Sequence, residues 1–355
     1  MNNFWTKLKK PIFCLAPMAD VTDAAFRQII AKYGKPDIFW TEFVSADGLC
    51  SPGRQKLLID FIYGENEHPI VAQIFGGKPE NIKKASALAK ELGFDGVDIN
   101  MGCPDKAVEK QCAGAAMMKN PELAREIIKA AKEGAGNLPV SVKTRIGYNK
   151  NEIETWIPAL LSEDIAALTV HLRTRKEMSD VPAHWDLMKR IVEIRNEMGK
   201  DTLILGNGDA LDLEDAMKKA EVSGCDGVML GRAIFGNPWL FGDSSHAFAQ
   251  VLGSPQGNPA GAQPDRSKSM TTSAIKEKYP NSSEAISLKN RLSVMVEHTK
   301  LFDKLLGKHK NFAIMKKHYK AYVNGFDGAK ELRIKLMETN SAVEVETIVN
   351  DFLKS

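Results

Sequence analysis

Eight short apolar runs, each followed by polar or glycine residues, constrain the fold of this chain more than any other feature of its sequence. Amphipathic helical patterns lie between most of them, so the alternation predicts β/α units and a parallel sheet. Eight units between residues 11 and 241 fit a closed (β/α)8 TIM barrel, which takes roughly 250 residues, better than an open doubly wound sheet. The runs are IFCLAP, IFWTEFV, PIVAQIFG, GVDIN, PVSVKTR, AALTVHLR, TLILGNG and DGVMLG.

The pattern changes after residue 242. Residues 243–283 are rich in Gly, Pro and Ser, which predicts a linker or flexible insertion. Four helical patterns then follow in close succession. We therefore expect an α/β barrel at residues 1–242, the linker at 243–283, and a small all-α helical domain at 284–355, with few contacts between barrel and helices. Gly93 and Gly134 are expected to end two of the barrel helices.

Composition bounds the class of protein. No apolar run reaches the roughly 18 residues that a membrane span requires, and the first residues lack the apolar core of a secretory signal. We expect a cytoplasmic protein with no membrane association, and a monomer. Its five cysteines are scattered, and no Cys-x-x-Cys or His-x-x-x-His pair is present, so we expect reduced thiols and no metal.

Positive charge is concentrated near the C-terminus. Residues 266–355 contain 17 Lys and Arg against 10 Asp and Glu, whereas the whole chain has a net charge of only +3. Within them, residues 308–320 carry five lysines and two histidines around an apolar stripe. Such a segment suits RNA phosphates on one face and packing on the other, although a charge run can equally be a solvated face. The charge asymmetry favours RNA.

Distinctive residues follow nearly every strand, where barrel enzymes gather their chemistry. They are Ala16, Pro17 and Met18; Gln73; Asn100 and Cys103; Lys143 and Arg145; His171 and Arg173; Asn207 and Gly208; and Gly231 and Arg232. The glycine turns after strands seven and eight, with Arg232, predict a phosphate site, although glycines also serve tight turns. Lys143 at a strand end predicts an anionic or electron-rich ligand.

A family resemblance is visible in APMADVTDAAFR, DINMGCPDKAVEKQCAGAAMMKNP, VSVKTRIG, HLRTR, GNGDA, GVMLGRAIFGNPW and MKKHYKAYVNGFDGAKELR. In order and spacing these segments resemble the tRNA-dihydrouridine synthases, which are FMN-dependent barrels with a helical tRNA-binding domain. The chain departs from that pattern at Leu172, where many members have glycine, and in the length of the insertion.

The resemblance implies that Cys103 is the catalytic acid, that FMN lies across the barrel mouth, and that NADPH or NADH reduces it. It implies flavin contacts by Pro17, Met18, Gln73, Lys143, His171, Asn207, Gly208, Gly231 and Arg232. It implies that Asn100, Arg145 and Arg173 face the target uracil. Among the basic residues of the helical domain, we expect Lys316, Lys317 and Lys320 to contact tRNA.

The chemistry that the resemblance implies needs an acid near the flavin. Hydride transfer to carbon 6 of uracil leaves charge at carbon 5 that a proton must quench. A thiol with an ordinary pKa of about 8.5 is mostly protonated at neutral pH and can supply it. Gly102 and Pro104 place Cys103 in a turn rather than a core strand, which favours this role over a buried packing residue. Cys112 is expected to be structural.

Two other functions remain open from the sequence. A small-molecule FMN oxidoreductase of the dihydroorotate dehydrogenase type would explain the barrel but not the basic helical domain. A non-catalytic RNA-binding barrel would not need Cys103, Lys143, His171 and Arg232. The sequence selects neither the uridine position nor NADPH over NADH, since no Gly-x-Gly-x-x-Gly fingerprint follows a strand.

Overall fold

The computed structural model describes residues 3–242 and 287–354. Its strands are β1 (Ile12–Leu15), β2 (Phe39–Trp40), β3 (Val44–Ser45), β4 (Ile70–Phe75), β5 (Gly96–Met101), β6 (Val140–Arg145), β7 (Ala167–His171), β8 (Leu203–Asn207) and β9 (Gly227–Leu230). All pair in parallel, in the order β1-β9-β8-β7-β6-β5-β4-β2, with β3 also on β4. A bridge between Cys14 and Ile38 brings the first strand beside the second and closes the ring. The predicted (β/α)8 barrel is confirmed.

One predicted strand differs in detail. The run IFWTEFV forms two strands, β2 and β3, which occupy a single position in the ring because both pair with β4. The interruption lies at Thr41, whose hydroxyl accepts a hydrogen bond from the backbone N–H of Gln73 at 3.0 Å. Glu42 then turns towards the C-terminal helices and is only 5% exposed.

The helices of the barrel lie on its outside. They are α1 (Ala24–Tyr33), α2 (Ala46–Leu49), α3 (Arg54–Leu57), α4 (Pro79–Glu91), α5 (Lys106–Glu109), α6 (Pro121–Ala135), α7 (Ile153–Leu161), α8 (Met188–Glu197) and α9 (Leu213–Ser223). Helix α4 ends just before Gly93, as expected. The expectation for Gly134 is wrong, because α6 continues to Ala135 and Gly136 caps it. Gly134 instead permits close packing, since a Cβ there would lie 2.0 Å from the carbonyl oxygen of Lys83.

The four C-terminal helical patterns are confirmed as α10 (Leu288–Leu306), α11 (Met315–Tyr322), α12 (Ala329–Glu338) and α13 (Ala342–Lys354). The expectation of few contacts with the barrel is wrong. Ala25 and Ile29 of α1 belong to one buried apolar cluster with residues of α10 to α13. Glu297 accepts hydrogen bonds from Lys32 and Tyr33, each 2.6 Å long. The shared core fixes the helices against the barrel wall.

The predicted linker, residues 243–283, lies outside the described residues. The domain boundaries at 242 and 284 stay predictions. No helix in the described part of the chain is long and apolar enough to cross a membrane.

Candidate active site

A cavity of about 620 Å³ opens at the carboxyl ends of the barrel strands. Ten of the residues singled out from the sequence line it: Ala16, Pro17, Met18, Lys143, His171, Arg173, Asn207, Gly208, Gly231 and Arg232. Five of the strands, β1 and β6 to β9, supply or immediately precede them. The sequence reasoning therefore located one continuous site, because parallel strands in a barrel all end on the same face.

Strand register places the polar groups of the wall side by side. Arg145, His171, Asn207 and Met229 form one row across β6, β7, β8 and β9. Asn207 donates to the carbonyl oxygen of Met229 at 2.8 Å and accepts from the ammonium of Lys143 at 3.2 Å. Lys143 is thereby held in the cavity wall by a neutral acceptor.

Asp209 is a functional candidate that the sequence reasoning missed. Its carboxylate accepts hydrogen bonds from Arg173 and Arg232, and from the backbone N–H of Ala183 at 2.8 Å. Burial acts to raise the pKa of Asp209, but these donors outweigh it and hold the pKa below its ordinary value. The signal was present in GNGDA, where an acid directly follows the glycine turn.

The two arginines differ in exposure. Arg173 is 2% exposed and also donates to Val181, while its guanidinium lies 3.2 Å from Nε2 of His171. The side chain of Arg232 is 66% exposed at the cavity edge. Arg232 is thus the arginine that a ligand entering from solvent can contact, and Asp209 orients it.

The cavity is electropositive at neutral pH. Burial, followed by repulsion from Arg145, lowers the pKa of Lys143 to about 8, so it remains mostly charged. Burial and the nearby cations Lys143, Arg145 and Arg173 lower the pKa of His171 well below its ordinary value, so its ring is neutral. A neutral imidazole beside charged lysine and arginine can donate to or accept from a ligand without adding further charge.

Glycine at residue 208 has a packing reason. Its φ of +127° lies in a region that L side chains rarely adopt, and a Cβ there would lie 2.8 Å from that of Ala183. Gly231 differs, because a Cβ at that position would meet nothing closer than 3.6 Å. The turn after β8 therefore requires glycine for its backbone, whereas a Cβ at residue 231 would make only ordinary van der Waals contacts with Ala16 and Met18.

Four of the predicted strand-end residues do not line this cavity: Gln73, Asn100, Cys103 and Arg145. Gln73 is fully buried, and its amide bonds Asp98 and Asn100. The Asn100 side-chain oxygen accepts from the backbone N–H groups of Gly102 and Cys103, at 3.1 and 2.9 Å. Direct contacts of Gln73 with flavin and of Asn100 with uracil stay predictions.

Arg145 connects two loops at the barrel mouth. It donates to the carbonyl oxygen of Gly102 at 2.8 Å, and to those of Thr174 and Met178 at 3.1 and 3.0 Å. It is 6% exposed. Arg145 thus fastens the Cys103 loop to the loop after β7, and its contact with uracil stays a prediction.

Cys103 is half-buried at the edge of the site, against a small apolar cluster that includes Phe75 and Val108. Burial raises the pKa of its thiol above the ordinary value, and the neighbouring cations Lys143 and Arg145 offset this only in part. The thiol is therefore protonated at neutral pH. Cys112 is exposed in the same loop, with a φ of +53°.

The three predicted RNA-binding lysines lie on α11. Lys317 and Lys320 are exposed and Lys316 is partly buried. Lys317 lies 3.6 Å from Asp20, which follows β1, so this helix borders the mouth of the barrel. Lys310 of the same basic segment instead lies 2.6 Å from Glu42 and 2.7 Å from Asp60, and so packs against the barrel.

Leu172, the departure in the histidine motif, is fully buried in the main core. Its backbone N–H donates to the carbonyl oxygen of Asn207 at 2.9 Å, and its carbonyl oxygen accepts from the backbone N–H of His184 at 2.8 Å.

Among the described residues, no group of three or more His, Cys, Asp or Glu side chains is arranged to hold a metal ion.

Comparison with known proteins gives one consistent result. The family model described as dihydrouridine synthase (Dus) matches residues 14–355. The probable tRNA-dihydrouridine synthase 2 of Bacillus subtilis is 40% identical over 99% of this chain and 97% of its own length. The probable tRNA-dihydrouridine synthase of Staphylococcus aureus is 38% identical over 99% and 96%.

Solved structures that are similar in shape are distant in sequence. An amine oxidase of Pseudomonas geniculata, specific by its name for 6-hydroxypseudooxynicotine, aligns with a TM-score of 0.50 at 13% identity. The alignment covers 65% of this chain and 46% of that one, and it supports the barrel fold alone. The family match and the relatives both extend over nearly the whole chain. This chain belongs to the dihydrouridine synthase family.

Proposed function

We propose that this protein reduces specific uridines in tRNA to 5,6-dihydrouridine, with FMN as its cofactor and NADPH or NADH as the source of electrons. One observation carries the proposal within the family. The thiol of Cys103 is protonated at neutral pH, and it lies close enough to Lys143 for the lysine charge to affect its pKa. Lys143 in turn lines the electropositive cavity. An acid at the edge of a cation-lined pocket is the arrangement that reduction of a conjugated carbonyl requires.

The cavity fits FMN in size and in donor type. Its volume of about 620 Å³ lies within the range of roughly 300 to 1,000 Å³ usual for ligand and cofactor sites. Lys143 and His171 would bond the polar edge of the ring or the ribityl chain, and Pro17 and Met18 would border its apolar part. Asn207, Gly208, Gly231 and Arg232 would hold the phosphate end, where the exposed guanidinium suits a dianion.

Reduced FMN, when bound, supplies the hydride that carbon 6 of uracil accepts. The Cys103 thiol donates its proton to carbon 5, and the resulting thiolate is reprotonated from solvent. Its raised pKa keeps the thiol in the proton-donating form at neutral pH. Arg145 holds the loop of Cys103 through the Gly102 carbonyl, which supports a fixed position for the acid.

The substrate must be drawn from folded tRNA. Extruding a base costs a few kcal/mol, which phosphate contacts elsewhere on the protein must offset. Lys316, Lys317 and Lys320 of α11 lie near the barrel mouth and are proposed to supply these contacts. The cytoplasm, where tRNA is processed, is the proposed compartment.

Mapping dihydrouridine in tRNA from cells with and without this gene tests the proposal. Loss of dihydrouridine at defined positions, restored by the wild-type gene, is the expected result. An unchanged tRNA profile together with a yellow, FMN-loaded protein would indicate a small-molecule oxidoreductase instead. A colourless protein that takes up no flavin would indicate a non-catalytic barrel.

A further inference from the structure

A chain of buried hydrogen bonds runs from Asp98 to the loop of Cys103. Asp98, in the middle of β5, is 1% exposed. One of its carboxylate oxygens accepts from the hydroxyl of Ser141 at 2.5 Å, and the other accepts from Nε2 of Gln73 at 2.7 Å. The Gln73 carbonyl oxygen accepts from Asn100 at 3.0 Å, and the Asn100 oxygen caps Gly102 and Cys103.

Asp98 determines which atoms donate and which accept along this series of hydrogen bonds. Burial raises the pKa of Asp98 to about 6, so its carboxylate is ionised at neutral pH and only accepts hydrogen bonds. The Gln73 amide must therefore turn its NH₂ group towards Asp98. The Gln73 oxygen then faces Asn100, which must present its own NH₂ group. That choice leaves the Asn100 oxygen facing two backbone N–H groups, as the cap requires.

The opposite orientation of both amides would destroy the cap. If Gln73 turned its oxygen away from Asn100, the Asn100 NH₂ group would face the N–H groups of Gly102 and Cys103. Two donors, the buried N–H of Gly102 and the partly buried N–H of Cys103, would then lose their acceptor, which destabilises the cap. Asp98 itself lies outside the cavity lining, so its effect on the Cys103 loop passes through Gln73 and Asn100.

We propose that Asp98 is a positioning residue that orients the amides of Gln73 and Asn100 and thereby holds the Cys103 loop in its proton-donating position. The part concerning proton donation rests on the proposed function. The orientation of the amides does not rest on it, because it follows from the donor and acceptor types alone. The two parts are therefore testable separately.

Three variants separate orientation from simple packing. Asp98→Ala removes the acceptor that orients Gln73. Gln73→Met interrupts the chain at the next residue while nearly preserving volume. Asp98→Asn is the matched control, because its NH₂ group can donate to the Ser141 hydroxyl, which also accepts, while its oxygen still accepts from Gln73.

Amide hydrogen exchange at Gly102 and Cys103 in the full chain measures the cap directly. We expect exchange at both amides to quicken at least tenfold in Asp98→Ala and in Gln73→Met, and to stay within about threefold of wild type in Asp98→Asn. Exchange at Val142, in the adjacent strand β6, should be unchanged in all three. Wild-type exchange at Gly102 and Cys103 in a folded Asp98→Ala protein would overturn the proposal. If that variant does not fold, unchanged exchange in Gln73→Met would overturn it.

The role in proton donation has its own readout. The negative charge of Asp98 also raises the pKa of Lys143, a proposed flavin contact, so removing that charge can change flavin affinity. Flavin affinity is therefore measured in each variant, and turnover is compared at saturating FMN. Dihydrouridine formation should fall at least tenfold in Asp98→Ala, while flavin reduction by NADPH stays near wild type and Asp98→Asn restores turnover. Equal turnover in Asp98→Ala would overturn this part. Wild-type protein without activity on tRNA would refute the proposed function, whereas the exchange results would still decide the amide orientation.

Discussion

The ammonium of Lys143 donates to Oδ1 of Asn207 at 3.2 Å, across the strand that separates them. The acceptor is a neutral amide, so this hydrogen bond stabilises the ammonium group but does not neutralise its charge. Burial accordingly lowers the pKa of Lys143 to about 8. A buried cation that costs stability is a candidate binding group, and Lys143 can donate a hydrogen bond to a ligand in the cavity.

Replacing Lys143 with methionine should stabilise the flavin-free protein and weaken flavin binding. At pH 7 the gain in unfolding free energy should be roughly 1 to 3 kcal/mol, because the cost of burying the charge is removed. The folded pKa of about 8 lies below the ordinary 10.5, so wild type gains stability as pH rises between these values. The advantage of methionine should therefore shrink by pH 10. Thermal unfolding of the flavin-free proteins at both pH values checks this, and an advantage that grew with pH would contradict it.

Replacing Arg232 with alanine should weaken FMN retention by removing a contact to the phosphate. Charged hydrogen bonds contribute about 1.5 to 3 kcal/mol, and the side chain is 66% exposed, so we expect the lower end, roughly a tenfold increase in Kd. Arg190→Ala is the control, because Arg190 pairs with Glu154 on the outer helices. Fluorescence titration with FMN compares them. Equal affinities in the two variants would place the phosphate elsewhere.

Replacing Cys103 with alanine should separate the two halves of the reaction. Flavin reduction by NADPH should stay near the wild-type rate, and turnover on tRNA should fall by about 10²- to 10⁴-fold, as for a lost general acid. Cys112→Ala removes an exposed thiol from the same loop and should retain activity. Stopped-flow flavin absorbance resolves both halves. If Cys103→Ala and Cys112→Ala had equal turnover, the acid would be another group.

The triple change of Lys316, Lys317 and Lys320 to alanine should lower tRNA affinity and reduce its salt dependence. The slope of log K against log salt should flatten by up to about one unit per lost phosphate contact. A matched control removes three exposed lysines from the outer barrel helices, Lys84, Lys129 and Lys218. Binding across a salt series decides between them. Identical slopes in both triple variants would mean that α11 presents only a solvated face.

The sequence predicted the parts of the fold that depend on local pattern. Strands with β-branched runs and helices with three- and four-residue spacing were located because periodicity determines which face is buried. The split of IFWTEFV and the continuation of α6 through Gly134 were not predictable in the same way. Both depend on contacts with residues distant in the chain, Gln73 and Lys83 respectively.

The same distinction between local pattern and long-range contact applies to the residues of the candidate site. Lys143, His171, Asn207 and Arg232 were predictable because each follows a strand, and strand ends converge. The pairing of Asp209 with two arginines, and of Lys310 with Glu42, was not predictable, because each partner is far away in sequence. Lys310 is an example. Its place in a basic segment predicted a contact with RNA phosphates, whereas in the structure it pairs with Glu42 and Asp60 of the barrel.

The most direct test of the account is a reaction of the purified wild-type protein with tRNA that lacks dihydrouridine, in the presence of FMN and NADPH. Mass spectrometry of the digested tRNA should find dihydrouridine at specific positions, formed in step with NADPH oxidation under anaerobic conditions. An FMN-loaded protein that oxidised NADPH aerobically but left every uridine unchanged, in tRNA from several sources, would contradict the account.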